Sequence, residues 1–416
     1  MTEIQDATDA TDAFRKDLSS STFVRAMAET GVRPFYRTVH MTGDGEAVVD
    51  GRDVVMAGCN DYLGLSTDPR VTAAAAEALT RYGASCSGAR TLNGTLPLHG
   101  ELEERIADFL GTEAAAVVTT GFQANLAVAA LLGRGDIVFS DMSNHASLVD
   151  GIRLGAGRRV LYPHSDTARL DTLLEQATAA EPAAGKVIVT DGMFSMDGDL
   201  CRLPGLTELA ARHGARLVVD GAHDIGLLGP GGRGVADHFG LMDRVDLFTG
   251  TLSKCFGSTG GFLAGPAHVV DYLRYSARSI LFSASMPPAA LAAGIAALGI
   301  AAAEPWRRLR VLALAEELRA GLRALGYDTG DSVTPVVPVL IGDATACALM
   351  WQALLDEGVF TNAVGAPAVP EGRCVIRVTV QATHSDAHLR RILDAFAAAG
   401  RRAGLVRDLP AQAVAR

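Results

Sequence analysis

Several features that mark particular classes of protein are scarce in this sequence. Its six cysteines are widely scattered among 416 residues and form no Cys-x-x-Cys pair, which argues against a disulfide framework and a zinc knuckle. Only 20% of the residues are charged, so the chain is not of the disordered class. Acidic residues outnumber basic ones by 47 to 37, and the net charge of −10 makes nucleic acid an unexpected partner.

Long hydrophobic runs and targeting segments are missing too. The longest uncharged apolar run, residues 289–303, is mostly alanine and too short to span a bilayer, so we predict a buried helix and no transmembrane segment. The first 14 residues are acidic and polar, unlike a secretory signal or a transit peptide, and we predict a loose tail there. The scattered cysteines fit a reducing compartment, so we expect a cytoplasmic protein.

What the sequence does contain is a large apolar fraction arranged in an α/β pattern. Hydrophobic residues make up 49%, enough for one large or two medium domains. From about residue 117 onward, short β-branched runs alternate with helical stretches, which predicts a mostly parallel central sheet. Ligands bind at the carboxyl ends of the strands in such sheets, and these runs end in polar residues.

We predict three parts along the chain. Residues 1–59 form an N-terminal segment with a helix over roughly residues 13–30 and a hairpin around residues 43–45. Residues 60–286 form the large domain. After Pro287 and Pro288 the pattern changes to long Ala/Leu/Arg helices and further strand segments, which predicts a smaller α+β domain over residues 287–416.

Two residues after predicted strands point to a cofactor. Lys254 lies among hydroxyl residues and glycines, a setting that suits a lysine with a lowered pKa and a Schiff base; the alternative is a lysine that caps a helix or binds an anion. Asp220 ends another strand, where it either caps a helix or keeps a pyridine nitrogen protonated. Together the two favour pyridoxal 5'-phosphate (PLP).

Seven motifs occur in order along the chain, at residues 60–65, 88–95, 120–125, 144–147, 191–199, 250–257 and 282–288. This ordered set resembles the α-oxoamine synthase family of fold-type I PLP enzymes. The resemblance implies a fold-type I transferase with a mostly parallel central sheet and a smaller C-terminal domain. It also implies PLP as the cofactor and a homodimer with shared active sites.

The resemblance assigns roles to residues around the PLP ring. Lys254 is the Schiff-base lysine, Asp220 the partner of the ring nitrogen and His223 a contact of the ring hydroxyl. His145 stacks on the ring, although a histidine that starts a helix is the alternative. Ser195 is a hydroxyl near the ring oxygen, or simply a turn residue. Lys254, His145 and Asp220 are the implied catalytic set.

A second group of residues is implied to bind the phosphate. Gly121 and Phe122 begin a helix directly after a strand, so their N–H groups face an anion. Thr251 adds a hydroxyl, and Ser283 or Ser285 lends one to the phosphate of the other subunit.

Asn60 and Arg377 are the implied substrate-binding residues. Arg377 resembles the arginine that binds the amino-acid carboxylate bidentately, while a solvated strand residue is its alternative. The implied reaction is a decarboxylative Claisen condensation of a small amino acid (serine, glycine or alanine) with an acyl thioester carried by coenzyme A or an acyl carrier protein. Several C-terminal segments resemble the branch of the family that uses serine and a long acyl chain.

Two positions depart from the family pattern. Gly221 stands where the family usually has an acid, and Asp224 stands where it has glycine or serine. Asp224 therefore either alters the choice of amino acid or caps a turn. An aminotransferase and an inactive partner subunit remain alternative functions, although Lys254 argues against the latter.

Two patterns have the spacing of known binding motifs but do not predict a binding site. Residues 229–234 match a bare G-x-G-x-x-G spacing, but no strand leads into them, so we predict a loop. His384 and His388 have the spacing of a zinc pair, but Ser385 between them predicts a helix start, and no metal site is expected.

Overall fold

The computed structural model describes residues 21–405. The predicted tail and the first part of the predicted helix over residues 13–30 lie outside these residues. The described part of that helix is α1 (Thr22–Thr30), where the Ser21 hydroxyl accepts a hydrogen bond from the Val24 N–H at 3.3 Å. Ser21, itself in an extended conformation, is thus the N-cap of α1.

The predicted hairpin is confirmed. Strand β1 (Val39–Gly43) pairs with β2 (Glu46–Val49) in an antiparallel manner, and β2 pairs with β3 (Arg52–Met56). The turn residues Gly43, Asp44 and Gly45 all have positive φ angles, which glycine and aspartate tolerate best. These strands are three of the four strands of one sheet, with β1 at its edge.

Thirteen further α-helices follow α1 in the described part of the chain. They are α2 (Pro69–Tyr82), α3 (Pro97–Leu110), α4 (Gly121–Ala127), α5 (Ala146–Leu154), α6 (Thr167–Ala180), α7 (Leu203–His213), α8 (Val235–His238), α9 (Ala267–Ser276), α10 (Arg278–Leu281), α11 (Pro288–Ala303), α12 (Trp306–Ala324), α13 (Ala344–Asp356) and α14 (Asp386–Arg402). Short 3₁₀ helices cover Val128–Leu131 and Met242–Arg244.

A seven-stranded sheet forms the centre of the fold. Its members are β4 (Ala114–Val118), β5 (Ile137–Asp141), β6 (Arg158–Tyr162), β7 (Lys186–Asp191), β8 (Arg216–Asp220), β9 (Leu247–Thr251) and β10 (Gly261–Gly265), in the spatial order β4-β10-β9-β8-β7-β5-β6. Strands β5 to β9 pair in parallel, whereas β10 is antiparallel to both of its neighbours. The prediction of a mostly parallel sheet is confirmed.

Hydrophobic packing covers both faces of this sheet. Successive side chains of β8 alternate, so that Leu217 and Val219 join one core cluster while Val218 joins the other. Strands buried on both faces read as continuous apolar runs, which is why the runs were visible in the sequence. The ends of the parallel strands, where the apolar residues stop, are left to form a cleft.

The C-terminal part has its own small sheet. Strands β11 (Val336–Gly342), β13 (Asn362–Val364) and β14 (Cys374–Thr379) form it in the order β11-β14-β13, and the short β12 (Val359–Phe360) pairs in parallel with β3. The N-terminal hairpin and the C-terminal part therefore share the four-stranded sheet. The division at residues 59 and 286 stays a prediction.

The predicted buried helix is α11, which packs against α2 and α3. Among residues 21–405, no single helix is long and apolar enough to cross a membrane, and only the pair α11 and α12, bent by 77°, meets those criteria together. The glycine-rich segment, residues 229–234, is a loop, as predicted, in which Gly229, Gly232 and Gly234 have positive φ angles.

Candidate active site

A cavity lies at the carboxyl ends of β5, β7, β8 and β9. It encloses about 220 Å³ and is lined by Thr120, Gly121, Phe122, Asn125, His145, Ser147, Asp191, Met193, Asp220, Ala222, His223, Thr251, Ser253 and Lys254. Seven of the ten residues implied to bind the cofactor are therefore together, namely Gly121, Phe122, His145, Asp220, His223, Thr251 and Lys254. Parallel strands bring their polar carboxyl ends to one edge of the sheet, and this explains the convergence.

Lys254 is half-buried just after β9. Burial lowers its pKa to about 8, against the opposing pull of the carboxylates of Asp220 and Asp191. An amine with this pKa is partly neutral near neutral pH, and a neutral amine is the nucleophilic form. The location thus gives the lysine the property that a Schiff base requires.

Asp220 is buried at the end of β8 with both carboxylate oxygens engaged. Its Oδ1 accepts the Ala222 N–H at 2.9 Å, and its Oδ2 accepts the Asn125 side-chain amide at 2.6 Å. Asp220 is therefore held in one orientation, facing the cavity.

His223 is buried beside Tyr62, whose hydroxyl lies 2.8 Å from its Nδ1. Burial and the nearby Lys254 and Arg377 lower the pKa of His223 well below its usual value. The ring is therefore neutral and serves hydrogen bonding, not charge.

His145 fits both of the interpretations that the sequence left open. It is the N-cap of α5, where its Nδ1 accepts the Ser147 N–H at 3.3 Å, and it also lines the cavity with an exposed ring. Capping uses one ring nitrogen, so the ring face remains available for stacking.

The residues implied to bind the phosphate lie where β4 leads into α4. Thr120 is the N-cap of α4, and its hydroxyl accepts the Gln123 N–H at 3.2 Å. A Cβ atom on Gly121 would lie 2.9 Å from the Cβ of Thr251, so glycine alone allows the backbone this close to the Thr251 hydroxyl. The N–H groups at the helix start and two hydroxyls, those of Thr251 and Ser253, share this end of the cavity.

Asp191 lies beside Asp220, with which it pairs in register across β7 and β8. Its Oδ2 accepts the His145 N–H at 3.0 Å, while Oδ1 is buried without a hydrogen-bond partner among the described residues. Burial, together with the charge of Asp220, raises the pKa of Asp191 well above its usual range.

These groups fit PLP. Lys254 offers an amine for the aldehyde, Asp220 a carboxylate for the ring nitrogen, and the start of α4 an anion site for the phosphate. The unpartnered Oδ1 of Asp191 leaves room for one more polar contact inside the cavity.

A second cavity, of about 720 Å³, adjoins the first and shares His145, His223 and Lys254 with it. Asn60 and Arg377, the two implied substrate-binding residues, both line it, and so does Ser195, which was implied to bind the cofactor. The remaining wall is contributed by α1, Phe35 and residues 362–368.

Arg377 is buried, not a solvated strand residue, with an exposed fraction of 4%. Its Nε donates to the Ser195 carbonyl at 2.7 Å, and its Nη2 donates to Asn60 Oδ1 at 3.0 Å and to the Tyr62 hydroxyl at 3.4 Å. These bonds fix the plane of the guanidinium at the cavity wall.

Ser283 and Ser285 line neither cavity. The Ser285 hydroxyl donates to the Gly94 carbonyl at 2.6 Å, and the Ser283 hydroxyl accepts from the Gln123 side chain at 2.8 Å. Their implied role concerns the phosphate of another subunit, so it stays a prediction.

The two departures from the family pattern fit each other. Asp224 lines neither cavity; it is buried, and its Oδ2 accepts the Val235 N–H at 3.1 Å at the start of α8. A Cβ atom on Gly221 would lie 2.8 Å from Asp224 Oδ1 and 2.3 Å from Ile225 Cδ1. The capping interpretation of Asp224 is therefore favoured, and Gly221 makes room for it.

Sequence reasoning gave no role to several residues that line or support the site, among them Tyr62, Asn125, Ser147, Asp191 and Ser253. All five lie within the recognised motifs, and Asp191 ends its strand as Asp220 does, which was a usable signal. Tyr62 and Asn125 act through partners 161 and 95 residues away, and spacing does not show such contacts.

Two histidine groups bear on the metal prediction. The Ser385 hydroxyl accepts the His388 N–H at 3.2 Å and caps α14, as predicted, so His384 lies outside the helix. Elsewhere, His164 lies close to Asp197 and Asp199, but both of its ring nitrogens are already within 3.1 Å of carboxylate oxygens of Asp141 and Asp199.

The chain is similar in sequence and in fold to known proteins. Residues 52–396 match the family model for aminotransferase class I and II. A serine palmitoyltransferase from Sphingobacterium spiritivorum is 41% identical over 369 residues, which cover 88% of this chain and 92% of that protein. An 8-amino-7-oxononanoate synthase from Geobacter sulfurreducens is 43% identical over 387 residues, which cover 92% and 98%.

Solved structures give the same result. A serine palmitoyltransferase from S. paucimobilis with PLP and myriocin bound matches with a TM-score of 0.90 and 34% identity, over 94% of this chain and 100% of that one. The serine palmitoyltransferase of Sphingomonas wittichii matches with a TM-score of 0.89. The predicted fold class is therefore confirmed.

Proposed function

This chain belongs to the aminotransferase class I and II family and, within it, to the α-oxoamine synthases, and from this we propose how its own residues serve the family's reaction. The protein is a PLP-dependent acyltransferase that condenses an amino acid with an acyl thioester and releases carbon dioxide. When bound, PLP supplies an aldehyde that bonds to amines and a ring that delocalises the negative charge of the α-carbon. The observation that carries the residue assignment is that Lys254 and Asp220 line one cavity.

Lys254 is the proton carrier in this assignment. Its Nζ would hold PLP through the aldehyde, and as a free neutral amine it would take the α-proton of the amino acid and return a proton to the product carbon. A pKa of about 8 places the amine near the point where both transfers are possible at neutral pH. Asp220 would hold the proton of the ring nitrogen when PLP is bound.

Arg377 binds the substrate carboxylate. It is already oriented by Ser195 and Asn60, so little side-chain freedom is lost on binding. His145, His223 and Lys254 line both cavities, and the two histidines bound the space for the amino-acid side chain. We assign a small amino acid to this space, with serine, glycine and alanine as candidates.

The acyl group lies against the wall formed by α1 and residues 362–368. Phe23, Val24 and Phe35 line this wall, and an apolar surface of this kind suits an acyl chain. The donor is an acyl thioester of coenzyme A or of an acyl carrier protein.

The enzyme is assigned as a cytoplasmic homodimer with shared sites. Support for the dimer comes from Ser283, which contacts Gln123 one residue after Phe122 but does not line the cavity, so its hydroxyl is available to another subunit. Support for a reducing compartment comes from the six cysteines, none of which is in a disulfide.

The chain offers a sharp test of the cofactor site, because it has only three lysines, Lys16, Lys186 and Lys254. Protein reconstituted with PLP is reduced with borohydride, digested and analysed by mass spectrometry. The label is expected on the Lys254 peptide alone, and Lys254→Ala is expected to remain unlabelled. A label on Lys186 or on no lysine contradicts the assignment.

The reaction class is tested with the same protein. Glycine, alanine, serine and larger amino acids are titrated while the visible spectrum is recorded, and thiol release from acyl-CoA is then measured. Thiol release that requires both substrates is expected. Conversion of the cofactor to the pyridoxamine form by amino acid alone would instead indicate an aminotransferase.

A further inference from the structure

Asn125 links Asp220 to Ser147 and, through Ser147, to His145. Its side chain is almost completely buried, with 2% exposed, near the end of α4. Its amide nitrogen lies 2.6 Å from Asp220 Oδ2 and 2.8 Å from the Ser147 hydroxyl, and its amide oxygen lies 2.7 Å from the Thr249 hydroxyl. All three partners are buried as well.

The chemistry of these partners fixes the orientation of the amide. The carboxylate of Asp220 accepts hydrogen bonds, so it must face the NH₂ group of Asn125. The Thr249 hydroxyl then gives its proton to Oδ1. Both amide protons are used, one on Asp220 and one on Ser147, and a flipped amide would bring two oxygens together at 2.6 Å.

The hydrogen bonds continue from Asn125 through Ser147 to His145. Because the Ser147 oxygen already accepts from Asn125, its own proton is free for His145 Nδ1, which lies 2.7 Å away. The Ser147 N–H also points to this nitrogen, at 3.3 Å. With two donors facing it, Nδ1 carries no proton, so the proton of the neutral ring is on Nε2.

We propose that Asn125 is a positioning residue that joins Asp220 and His145 in one hydrogen-bonded chain, orienting the Asp220 carboxylate and fixing the Nε2–H tautomer of His145. The proposal rests on the function proposed above, because it assumes that these two residues face PLP. Its consequence is that His145 acts as a hydrogen-bond donor to a substrate oxygen and not as a base.

An asparagine is the side chain that satisfies all three contacts. Alanine would leave Asp220 Oδ2 and the hydroxyls of Ser147 and Thr249 without their buried partner. Aspartate has the same shape but would place a second carboxylate next to Asp220 and lose both amide donors. Asp191, whose pKa is raised by burial and by the charge of Asp220, already lies beside Asp220, so an aspartate at position 125 would add a third carboxyl group there.

The test compares the full-length wild type with Asn125→Asp and Asn125→Ala, each reconstituted with PLP. We expect the dissociation constant for PLP, measured by absorbance, to rise at least tenfold in both variants. In Asn125→Asp we also expect the pH midpoint of the visible band to shift by about one unit or more. Unchanged affinity and an unchanged pH midpoint in Asn125→Asp overturn the proposal.

Matched threonine variants control for packing. Thr249→Val removes the contact to Asn125 Oδ1, whereas Thr190→Val alters an equally buried threonine whose hydroxyl donates to the Asp191 carbonyl. A shift in the visible band is expected for Thr249→Val but not for Thr190→Val. Equal effects in the two variants would indicate general loosening of the core and overturn the proposal.

The tautomer is measured directly by long-range ¹H–¹⁵N NMR of histidine-labelled protein, with His145→Gln used to assign the signal. An Nε2–H pattern is expected in the wild type, and loss of that single pattern is expected in Ser147→Ala. An Nδ1–H wild-type ring overturns the proposal. If the wild type itself forms no Lys254-linked band with PLP, the proposed function has failed instead, so the two failures are distinguishable.

Discussion

Replacing Asp224 by asparagine is expected to stabilise the protein, and to do so more strongly as the pH rises. Asp224 has an exposed fraction of 1%, with Oδ2 held by the Val235 N–H and Oδ1 without a partner among the described residues. Burial raises its pKa from 3.8 to about 7. Asparagine keeps the shape and the acceptor for Val235 but never carries a charge.

The magnitude follows from the two pKa values. Well below pH 4 the Asp224 carboxyl group is protonated in both the folded and the unfolded state, so it does not lower the free energy of unfolding. Between pH 4 and 7 the unfolded chain loses this proton first, and folding stability falls until the loss is complete above pH 7. A difference of about 3 pKa units at about 1.4 kcal/mol each corresponds to roughly 4 kcal/mol at pH 8, of which roughly 2 is already lost at pH 5.

The assay is denaturant unfolding of cofactor-free protein at pH 5 and pH 8. The advantage of Asp224→Asn over the wild type is expected to grow by about 2 to 3 kcal/mol between these pH values. Glu77→Gln, at an exposed position of α2, is the matched control and is expected to show no such growth. A constant difference between Asp224→Asn and the wild type across this range would refute the reasoning.

Three further outcomes are expected. The rate at which Lys254 captures PLP should rise with pH and level off above about pH 8, because only the neutral amine attacks the aldehyde. Stopped-flow absorbance measures this rate, and a rate that is constant from pH 6.5 to 9 would contradict the prediction. Arg377→Lys should raise the KM for the amino acid about tenfold or more, because an ammonium group lacks the paired donors of a guanidinium. The KM for the thioester should stay nearly unchanged, and equal increases in the two KM values would argue against the assignment of Arg377. Gly221→Ala should lower the free energy of unfolding by about 1–3 kcal/mol, measured by chemical unfolding, because the new Cβ would lie 2.3 Å from Ile225 Cδ1. The loss should be smaller in an Ile225→Ala background, and an equal loss in both backgrounds would assign the effect to another contact.

Local sequence information was sufficient for the elements and for the strand-end residues. The hydrophobic pattern has the period of the element that forms it, so β8 and the hairpin of β1 and β2 could be predicted without tertiary contacts. A polar residue directly after a buried strand, such as Asp220 or Lys254, has only the strand edge to occupy in a parallel sheet.

The alternatives that the sequence left open were separated by packing. A strand arginine is exposed or buried depending on what covers its face, and Arg377 is covered by the segments that carry Asn60 and Ser195. Asp224 is two residues along the loop from Ala222, which lines the cavity, yet Asp224 itself turns toward α8. Neither outcome has a signature in the local sequence.

The sequence by itself therefore determined the α/β architecture and the residues at the strand ends, because both depend on the local order of apolar and polar residues. The cofactor followed from the presence of both Lys254 and Asp220 and from the resemblance of the ordered motifs to a family. Only the tertiary structure decided which distant groups complete the site. Asn125 reaches Asp220 and Tyr62 reaches His223 because of strand order and register, which place chain segments far apart in sequence within hydrogen-bonding distance. Hydrogen bonds act over about 3 Å in space, and spacing along a folded chain does not report that distance.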